Sequence, residues 1–488
     1  MNNFVLPALV FILFASCTSV SDKSDVKKAE LENGIRGPVK FLQEPERYSS
    51  ITDKMAEYNI PALSIAVISQ GKIEWADIYQ NRNFADQQNL DSTSIFQAAS
   101  LSKPVTFFAA LRMHSAGEID LDKNIQAYLN DFVLPQGKQS ADNPVTLRNI
   151  FSHTSGIRPG GYEGYDRTDV MPTDLDILLG NEGVNTPAIE VITPPDETLA
   201  YSGGAYTLAE LALQDFFDDK FSNLMDKWIL EPAGMTLSEF TQPFPASESG
   251  RVAKGYTFSG DVVEGGWRNH PEQAAAGLWS NAADMAKFLL EIYNAYQGKN
   301  SIFSQSDIKL ILSQERDGHV YGFRIKRIED DISLTHYGGN VGYRTGMTIS
   351  LTNGNGLVYL TNSDNGGVLG NELLLSASQI YGWQHFKQTN VQRDEVSSET
   401  LRKLSGEYKW NNQIDLSIMF DENTQQISLF FPNGDEYKLT PIRGDEVDFI
   451  HPNSGVIVSF SENDDLQSFS LYDQKAVKLE DKTDADNK

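Results

Sequence analysis

The chain has 488 residues, of which 40% are apolar and 10% aromatic, so it can bury a sizeable core in two or more domains. Its formal net charge of −27 argues against nucleic acids and anionic membrane surfaces as partners, because both would repel it. Cys17 is the single cysteine, which excludes intramolecular disulfide bonds, cysteine catalysis in a folded core and a zinc cluster built on thiolates.

The first 17 residues are typical of an export signal. Residues 4–15 are an almost uninterrupted apolar run, too short to span a bilayer but suited to a signal peptide. Cys17 follows Phe14-Ala15-Ser16, which resembles the lipobox of bacterial lipoproteins with Phe in place of the usual Leu; an ordinary signal cleaved nearby and an incidental cysteine are the alternatives. We therefore expect a signal peptide with a lipobox over 1–17 and a flexible polar tether over 18–43. The expected location is the periplasm or cell envelope, with a lipid anchor on Cys17.

Residues 44–386 are predicted to form one α+β domain, with strands at both ends and helices in the middle. The predicted strands cover 62–68, 73–79, 321–328, 332–337, 344–351 and 356–362. The predicted helices cover 44–58, 206–217, 221–230, 282–296 and 370–384, with one more that begins near Ser100 and ends before Gly117. Residues 158–197, rich in Gly, Asp and Pro, read as a long irregular stretch. The pattern predicts an antiparallel sheet flanked by helices, with an inserted helical region.

The remainder of the chain is predicted to be a second, small domain. Residues 387–400 are polar and read as a linker. Residues 401–479 tend to alternate at period two without a clear helical segment, which indicates a small all-β barrel or sandwich. The acidic tail, residues 480–488, is expected to be disordered.

Ser100 and Lys103 carry the first sign of chemistry. They are three residues apart at the start of a predicted helix, so their side chains share one face. The positive end of the helix dipole favours a developing alkoxide on Ser100, and a neighbouring amine can accept the hydroxyl proton. The same spacing recurs at Ser24/Lys27 and Ser306/Lys309, so an N-cap serine beside a solvated lysine is the alternative.

Two later motifs extend this pattern in order. Ser100-x-x-Lys103 is followed by Tyr201-Ser202-Gly203 and by His336-Tyr337-Gly338. This ordered set resembles the serine β-lactamase and penicillin-binding-protein superfamily, in particular its class C-like branch, over residues 44–385. The C-terminal domain resembles the lipocalin-like β module found in some of these enzymes, on pattern and position alone.

The resemblance implies roles for individual residues. Ser100 would form an acyl-enzyme, and either Lys103 or Tyr201 would take its proton. The backbone N–H groups of Ser100 and Gly339 would form the oxyanion hole, and Gly338 would let the strand approach the substrate closely. No cofactor and no metal are implied.

Two residues depart from the family pattern. Gly203 stands where the family often has Asn, so the amide that would hold an acyl side chain is missing. His336 stands where many β-lactamases have Lys, and a neutral imidazole holds a carboxylate less firmly; Arg344 could compensate. Both departures weaken the case for β-lactam substrates and leave other esters and amides open.

The sequence thus predicts an exported, metal-independent serine hydrolase that acts on a small ester, amide or peptide. A β-lactamase or D-Ala-D-Ala carboxypeptidase is the alternative within the class, and a non-catalytic binding or scaffold protein is the alternative outside it. The chain lacks a Gly-x-Ser-x-Gly elbow, a His-Glu-x-x-His motif and a phosphate-binding glycine loop, which disfavours an α/β-hydrolase, a zinc protease and a nucleotide-binding enzyme. The oligomeric state stays open.

Overall fold

The structure, a computed structural model, describes residues 20–84, 88–432, 434–472 and 474–479. The predicted signal peptide with Cys17 and the predicted acidic tail lie outside the described residues. The helices are α1 Val20–Asn33, α2 Ile51–Glu57, α3 Ser102–Ser115, α4 Leu147–Phe151, α5 Asp174–Leu179, α6 Gly203–Phe217, α7 Phe221–Met225, α8 Gln273–Ala276, α9 Ala282–Tyr296, α10 Gln305–Ser313, α11 Gly366–Tyr381 and α12 Ser398–Leu404.

The strands are β1 Val39–Phe41, β2 Ala62–Ser69, β3 Lys72–Gln80, β4 Phe96–Gln97, β5 Ile157–Arg158, β6 Glu190–Val191, β7 Trp279–Ser280, β8 His319–Val320, β9 Phe323–Ile328, β10 Asp331–Asn340, β11 Tyr343–Ser350, β12 Gly356–Thr361, β13 Thr389–Val391, β14 Gly406–Trp410, β15 Ile414–Asp421, β16 Gln426–Phe430, β17 Glu436–Ile442, β18 Val447–Ile450, β19 Ile457–Phe460, β20 Ser468–Leu471 and β21 Gln474–Lys478. Shorter 3-10 turns include Ala99–Leu101 and Ile125–Tyr128, and a π-helical turn covers Asp226–Leu230.

The predicted sheet built from both ends of the first domain is confirmed. Seven antiparallel strands run in the order β3-β2-β12-β11-β10-β9-β8. The β2–β3 hairpin turns at Gln70 and Gly71, whose φ angles of +51° and +74° are the positive values that tight hairpin turns require.

The two faces of this sheet bury different cores, because successive side chains of a strand point to opposite faces. Leu63, Ile65 and Val67 pack with α1, α2 and α11 on one face. Ala66 and Ile68, from the same strand, join the larger core made with the helical region. The functional motifs lie on this larger side.

The N-terminal tether prediction is wrong for the described part of residues 18–43. That segment holds α1 and β1, and the Leu31 side chain is fully buried in the core beneath α11. The 387–400 linker prediction is also wrong in part, because β13 pairs in parallel with β1, from Val39↔Thr389 to Phe41↔Val391. Burial of a few apolar residues and strand pairing order these polar segments.

The predicted helix over 44–58 is shorter in the structure. Helix α2 begins only after Ser50, whose hydroxyl accepts a hydrogen bond from Asp53 N at 3.0 Å, while the Asp53 carboxylate accepts one from Ser50 N at 3.4 Å. This capping box fixes the start of the helix and leaves the preceding residues outside it. The irregular stretch at 158–197 contains the short helix α5 and the paired strands β5 and β6.

The C-terminal all-β domain is a closed eight-stranded barrel, β14 to β21. Its interior holds large apolar side chains such as Tyr408, Phe449, Phe460 and Phe469. Helix α12 covers Ser398–Leu404 and precedes the first strand of the barrel. The prediction of an entirely β segment from residue 401 is therefore wrong for residues 401–404. The lipocalin-like character of the barrel stays a prediction.

Among the described residues, none of the helices combines the length and apolar character needed to cross a membrane. The described residues also contain no cluster of three or more His, Cys, Asp or Glu side chains able to hold a metal ion.

Candidate active site

Ser100 lies in the 3-10 turn Ala99–Leu101, directly before α3. Ala99 has a φ of +52°, in the left-handed region that residues other than glycine rarely adopt. The sheet holds this turn in place, because the Thr345 hydroxyl on β11 donates to the Ala98 carbonyl oxygen at 3.0 Å. Ser100 therefore sits at the N-terminal end of α3, where the helix dipole favours negative charge on its oxygen.

Lys103 is buried one turn further along α3, with 3% of its surface exposed. Its Nζ donates to the carbonyl oxygen of Ala275 at 2.7 Å and to Ser100 Oγ at 3.3 Å. The amine also faces two aromatic rings, at 4.8 Å from the ring centroid of Tyr201 and 5.7 Å from that of Tyr206. The predicted pairing of Ser100 with Lys103 is thus present in the structure.

Tyr201 brings the second motif to the nucleophile. Its hydroxyl donates to Ser100 Oγ at 2.9 Å, and 47% of the residue remains exposed. The ring rests on His153, with 4.5 Å between the ring centroids. The Nδ1 atom of His153 accepts a hydrogen bond from Ser202 N at 3.2 Å, and burial holds the pKa of this imidazole well below its ordinary value. His153 is therefore a neutral support beneath the motif.

The third motif lies on β10, at an edge facing the Ser100 turn. Pairing with β9 ends at Thr335↔Arg324, so residues 336–340 run past the end of that neighbour. His336 points toward the helical region and is buried; burial, followed by the charge of Lys103, lowers its pKa to about 3. The imidazole is neutral at physiological pH.

Gly338 allows β10 to approach the nucleophile closely. A Cβ atom at this position would lie 3.0 Å from Ser100 N and 2.7 Å from the Ala98 carbonyl oxygen. At Gly339 a Cβ would meet only the Arg344 side chain, at 3.4 Å and beyond. The structure thus brings Ser100, Lys103, Tyr201, His336, Gly338 and Gly339 to one place.

A group of buried acidic side chains lies behind Lys103. Both Glu210 oxygens accept hydrogen bonds from the start of α8, Oε2 from Ala274 N at 2.8 Å and Oε1 from the Gln273 amide at 2.9 Å. Burial raises the pKa of Glu210 well above its ordinary value. Burial also raises the pKa of Glu272 to about 8 and lowers that of His270 to about 3, so their 3.9 Å contact joins two neutral groups near pH 6.

The Beta-lactamase family model matches residues 49–379, more than half of the chain. The chain belongs to the beta-lactamase family. The resemblance predicted from the three motifs and the α+β fold class are both confirmed.

Relatives of this beta-lactamase-family protein differ in length. It is 21% identical to penicillin-binding protein 4* of Bacillus subtilis over 82% of this chain and 91% of the relative. It is 24% identical to the unguisins hydrolase ungD of Aspergillus violaceofuscus over 49% of this chain, and the match spans only 43% of that relative's length.

Solved structures share the fold. The octameric penicillin-binding protein homologue from Pyrococcus abyssi superposes with a TM-score of 0.59 and 21% identity, over 88% of this chain and 98% of that one. The D-amino acid amidase from Ochrobactrum anthropi SV3 in complex with D-phenylalanine gives a TM-score of 0.53 and 20% identity, over 68% of this chain and 97% of that one.

One feature of this beta-lactamase-family site differs from expectation. The guanidinium of Arg344 is already engaged: its Nη1 lies 2.8 Å from Asp364 Oδ1 and donates to the carbonyl oxygens of Asn340 and Tyr343, also at 2.8 Å. Arg344 is thus held at the rim of the site by its own neighbours. Its proposed role in compensating for His336 has no direct support from these contacts.

Glu210 was not predicted as part of the site, although the sequence contains a signal for it. It is the only charged residue between Gly203 and Leu213 in an otherwise apolar and small helical run. A buried charge in such a run needs hydrogen-bond partners, and α8 supplies them. Ala275 contributes only its backbone carbonyl, and such a contribution cannot be recognised from the type of the residue.

Proposed function

We propose that this protein is a serine hydrolase that cleaves an amide or ester bond through an acyl-enzyme on Ser100. One observation carries the proposal: Ser100 Oγ lies within hydrogen-bond distance of both the Tyr201 hydroxyl and the Lys103 amine. A serine hydroxyl is a weak nucleophile, and two adjacent groups able to exchange its proton are what activation requires.

In the proposed reaction, Ser100 Oγ attacks the substrate carbonyl while its proton passes to Tyr201 or Lys103. The negative charge on the carbonyl oxygen is stabilised by the backbone N–H groups of Ser100 and Gly339, each of which would contribute about 3 kcal/mol. The same proton then goes to the leaving amine or alcohol, whose bond to the acyl group breaks. Water hydrolyses the acyl-enzyme and restores Ser100.

The relatives support hydrolysis of amide bonds as the general chemistry. The names of the relatives include a hydrolase, a penicillin-binding protein and a D-amino acid amidase. The protein has Gly203 and a neutral His336 where the family often has Asn and Lys, which favours a small amide or ester over a β-lactam.

Intact-mass spectrometry of the purified protein tests the proposal, with p-nitrophenyl butyrate and a penicillin as separate reagents. We expect ester turnover that disappears in Ser100→Ala, with little penicillin adduct. A lasting penicillin adduct on Ser100, or fast penicillin hydrolysis, would favour a β-lactamase or carboxypeptidase. Identical behaviour of wild type and Ser100→Ala toward both reagents would contradict the nucleophile assignment and favour a binding protein.

Export is a separate proposal, supported only by the sequence of residues 1–17. We propose that the chain is delivered to the cell envelope and lipid-modified on Cys17. Expression of the full sequence in a bacterium should place the protein in the membrane fraction, and Cys17→Ser should release it. Equal distribution of both versions would contradict the lipid anchor without affecting the proposed chemistry.

A further inference from the structure

We propose that Tyr162 closes the acyl side of the site, so that the enzyme accepts compact acyl groups and rejects acyl groups that carry an acylamino substituent. This inference rests on the proposed function and names its substrate class. It starts from the missing side chain at Gly203, the position where the family often has an asparagine amide.

The space above Gly203 is filled. A Cβ atom at this position would lie 2.9 Å from Tyr162 Cε2 and 3.1 Å from both Tyr162 Cδ2 and the Gly160 carbonyl oxygen. These separations are shorter than normal contacts to a Cβ atom, so no side chain fits at position 203 while the Tyr162 ring is in place. The ring thus takes the volume that an asparagine side chain would need.

The segment that carries Tyr162 is fixed to the start of α6. Gly203 N donates to the Gly160 carbonyl oxygen at 2.8 Å, and Gly204 N donates to that of Pro159 at 3.1 Å. These bonds satisfy N–H groups at the N-terminus of the helix, which have no partner within it. Because the backbone just before Tyr162 is held by these two bonds, the closure is part of the fold.

The ring itself is also anchored. The Tyr162 hydroxyl lies 2.9 Å from Thr207 Oγ1, one turn along α6, and the ring packs against the main core. Burial raises the pKa of this phenol well above its ordinary value. Tyr162 is therefore a neutral wall of the site with no capacity to act as a base.

This wall adjoins the catalytic phenol. Gly203 is two residues after Tyr201, whose hydroxyl lies 2.9 Å from Ser100 Oγ. An acylamino group on the substrate would thus lose the amide partner that the family often provides and would meet an aromatic ring in its place. A short unsubstituted acyl chain needs neither the amide nor the space.

The test compares two p-nitrophenyl esters that differ only in the acyl group, the butyrate and the ester of phenylacetylglycine. We expect wild type to favour the butyrate in kcat/KM, and Tyr162→Ala to lower this preference by about tenfold or more, since even one methylene group in an apolar pocket typically changes selectivity by about 10–200-fold. Tyr162→Phe keeps the ring and should keep the preference. Tyr48→Ala, at an exposed tyrosine remote from the site, is the control for unchanged activity.

A double-mutant cycle tests the contact directly. Gly203→Ala should reduce ester turnover in the wild-type background because the new methyl group meets the Tyr162 ring, and it should have a clearly smaller effect in the Tyr162→Ala background, where only the contact with the Gly160 carbonyl oxygen remains of those nearest to it. An equal loss in both backgrounds would overturn the inference. If Tyr162→Ala does not fold, Tyr162→Leu removes the ring plane with less loss of packing and should shift selectivity in the same direction.

The outcomes separate this inference from the proposed function. A wild-type enzyme that hydrolyses both substrates with equal efficiency through Ser100 would overturn the closure by Tyr162 and leave the hydrolase intact. Absence of turnover and of any adduct on Ser100, with both substrates, would overturn the proposed function and this inference with it.

Discussion

The carbonyl oxygen of Ala275 accepts a hydrogen bond from the amine of Lys103 at 2.7 Å, closer than the 3.3 Å between this amine and Ser100 Oγ. The position of α8, a helix of four residues, therefore fixes the position of the Lys103 amine. Glu210 fixes that helix, because its carboxyl group accepts from Ala274 N and from the Gln273 amide.

Replacement of Glu210 should impair catalysis without direct contact with the substrate. In Glu210→Ala, α8 loses two hydrogen bonds and Ala275 no longer holds Lys103 in place. We expect kcat for ester hydrolysis to fall by about 10²-fold with little change in KM, since small misplacements of catalytic groups have effects of this size. Steady-state kinetics at several pH values measures both quantities.

Glu210→Gln is the matched control. Burial raises the pKa of Glu210 well above its ordinary value, which favours the protonated acid, and an amide of the same shape is a close replacement for that form. We expect most of the wild-type kcat to return. Equal loss in Glu210→Gln and Glu210→Ala would show that the carboxyl group does more than position α8.

The adjacent glycines of β10 should respond differently to the same substitution. In Gly338→Ala the new methyl group would lie 3.0 Å from Ser100 N and 2.7 Å from the Ala98 carbonyl oxygen, so the nucleophile turn must move. We expect a loss of turnover of about 10²-fold or more. Gly339→Ala meets only the Arg344 side chain and should lose much less. Similar losses in both variants, measured with thermal melting as a folding check, would contradict this geometry.

Removal of the Tyr201 hydroxyl should slow acylation. Tyr201→Phe keeps the ring on His153 but removes the only phenol that contacts Ser100 Oγ among the described residues. A proton-transfer group of this kind typically contributes about 10²–10⁴-fold, and we expect kcat/KM to fall within that range. Tyr293→Phe, on α9, is the control. Full activity in Tyr201→Phe would leave Lys103 as the sole proton acceptor.

The pH dependence of activity should lack a contribution from His336. Burial and the nearby Lys103 lower the pKa of this imidazole to about 3, so it stays neutral from pH 5 to 8 and does not titrate there. We expect His336→Gln to change the rate but not the shape of the kcat/KM profile in this range. If the wild-type kcat/KM profile changes slope near pH 6.5 and the His336→Gln profile does not, the imidazole ionises in the free enzyme.

Stability should fall as the pH rises, because Glu272 is buried as a neutral acid. Its pKa is raised from the ordinary value of 4.5 to about 8, so the folded state binds a proton that the unfolded state releases between these values. The stabilisation is complete below pH 4.5 and is lost as the pH passes 8. Glu272→Gln should flatten the decrease of Tm between pH 6 and pH 9 by several degrees. An unchanged slope would assign the effect to other groups, such as Asp174, whose pKa is raised to about 7 by burial.

The elements that could be predicted from the sequence are those with a clear hydrophobic periodicity and with glycines that mark a turn or a helix end. The β2–β3 hairpin follows alternation around a glycine turn, and α3 ends at Ser115, shortly before Gly117 with its φ of +78°. The three motifs were found because their side chains carry the chemistry. Helix α1 was missed because its apolar residues are few, and the surface that buries Leu31 is supplied by the sheet, α2 and α11.

Parts of the site were beyond prediction for a different reason. Ala275 acts through its backbone, which any residue type provides, and Tyr162 comes from an irregular stretch without periodicity. The closure over Gly203 depends on a contact across 41 positions of the chain, which local pattern does not encode. The absence of the family's Asn at position 203 was visible in the sequence, but the Tyr162 ring that fills its space was not.

The parallel pairing of β1 with β13 bears on where this protein can be cut for expression. A fragment that starts at residue 44, the boundary the composition suggests, would leave β13 without its partner and empty the place that Leu31 fills. The same pair adjoins the barrel, where Ile442 and Ile450 pack with Val391. A stable hydrolase fragment should therefore begin before α1. Removal of either β1 or β13 should weaken the contact between the hydrolase domain and the barrel.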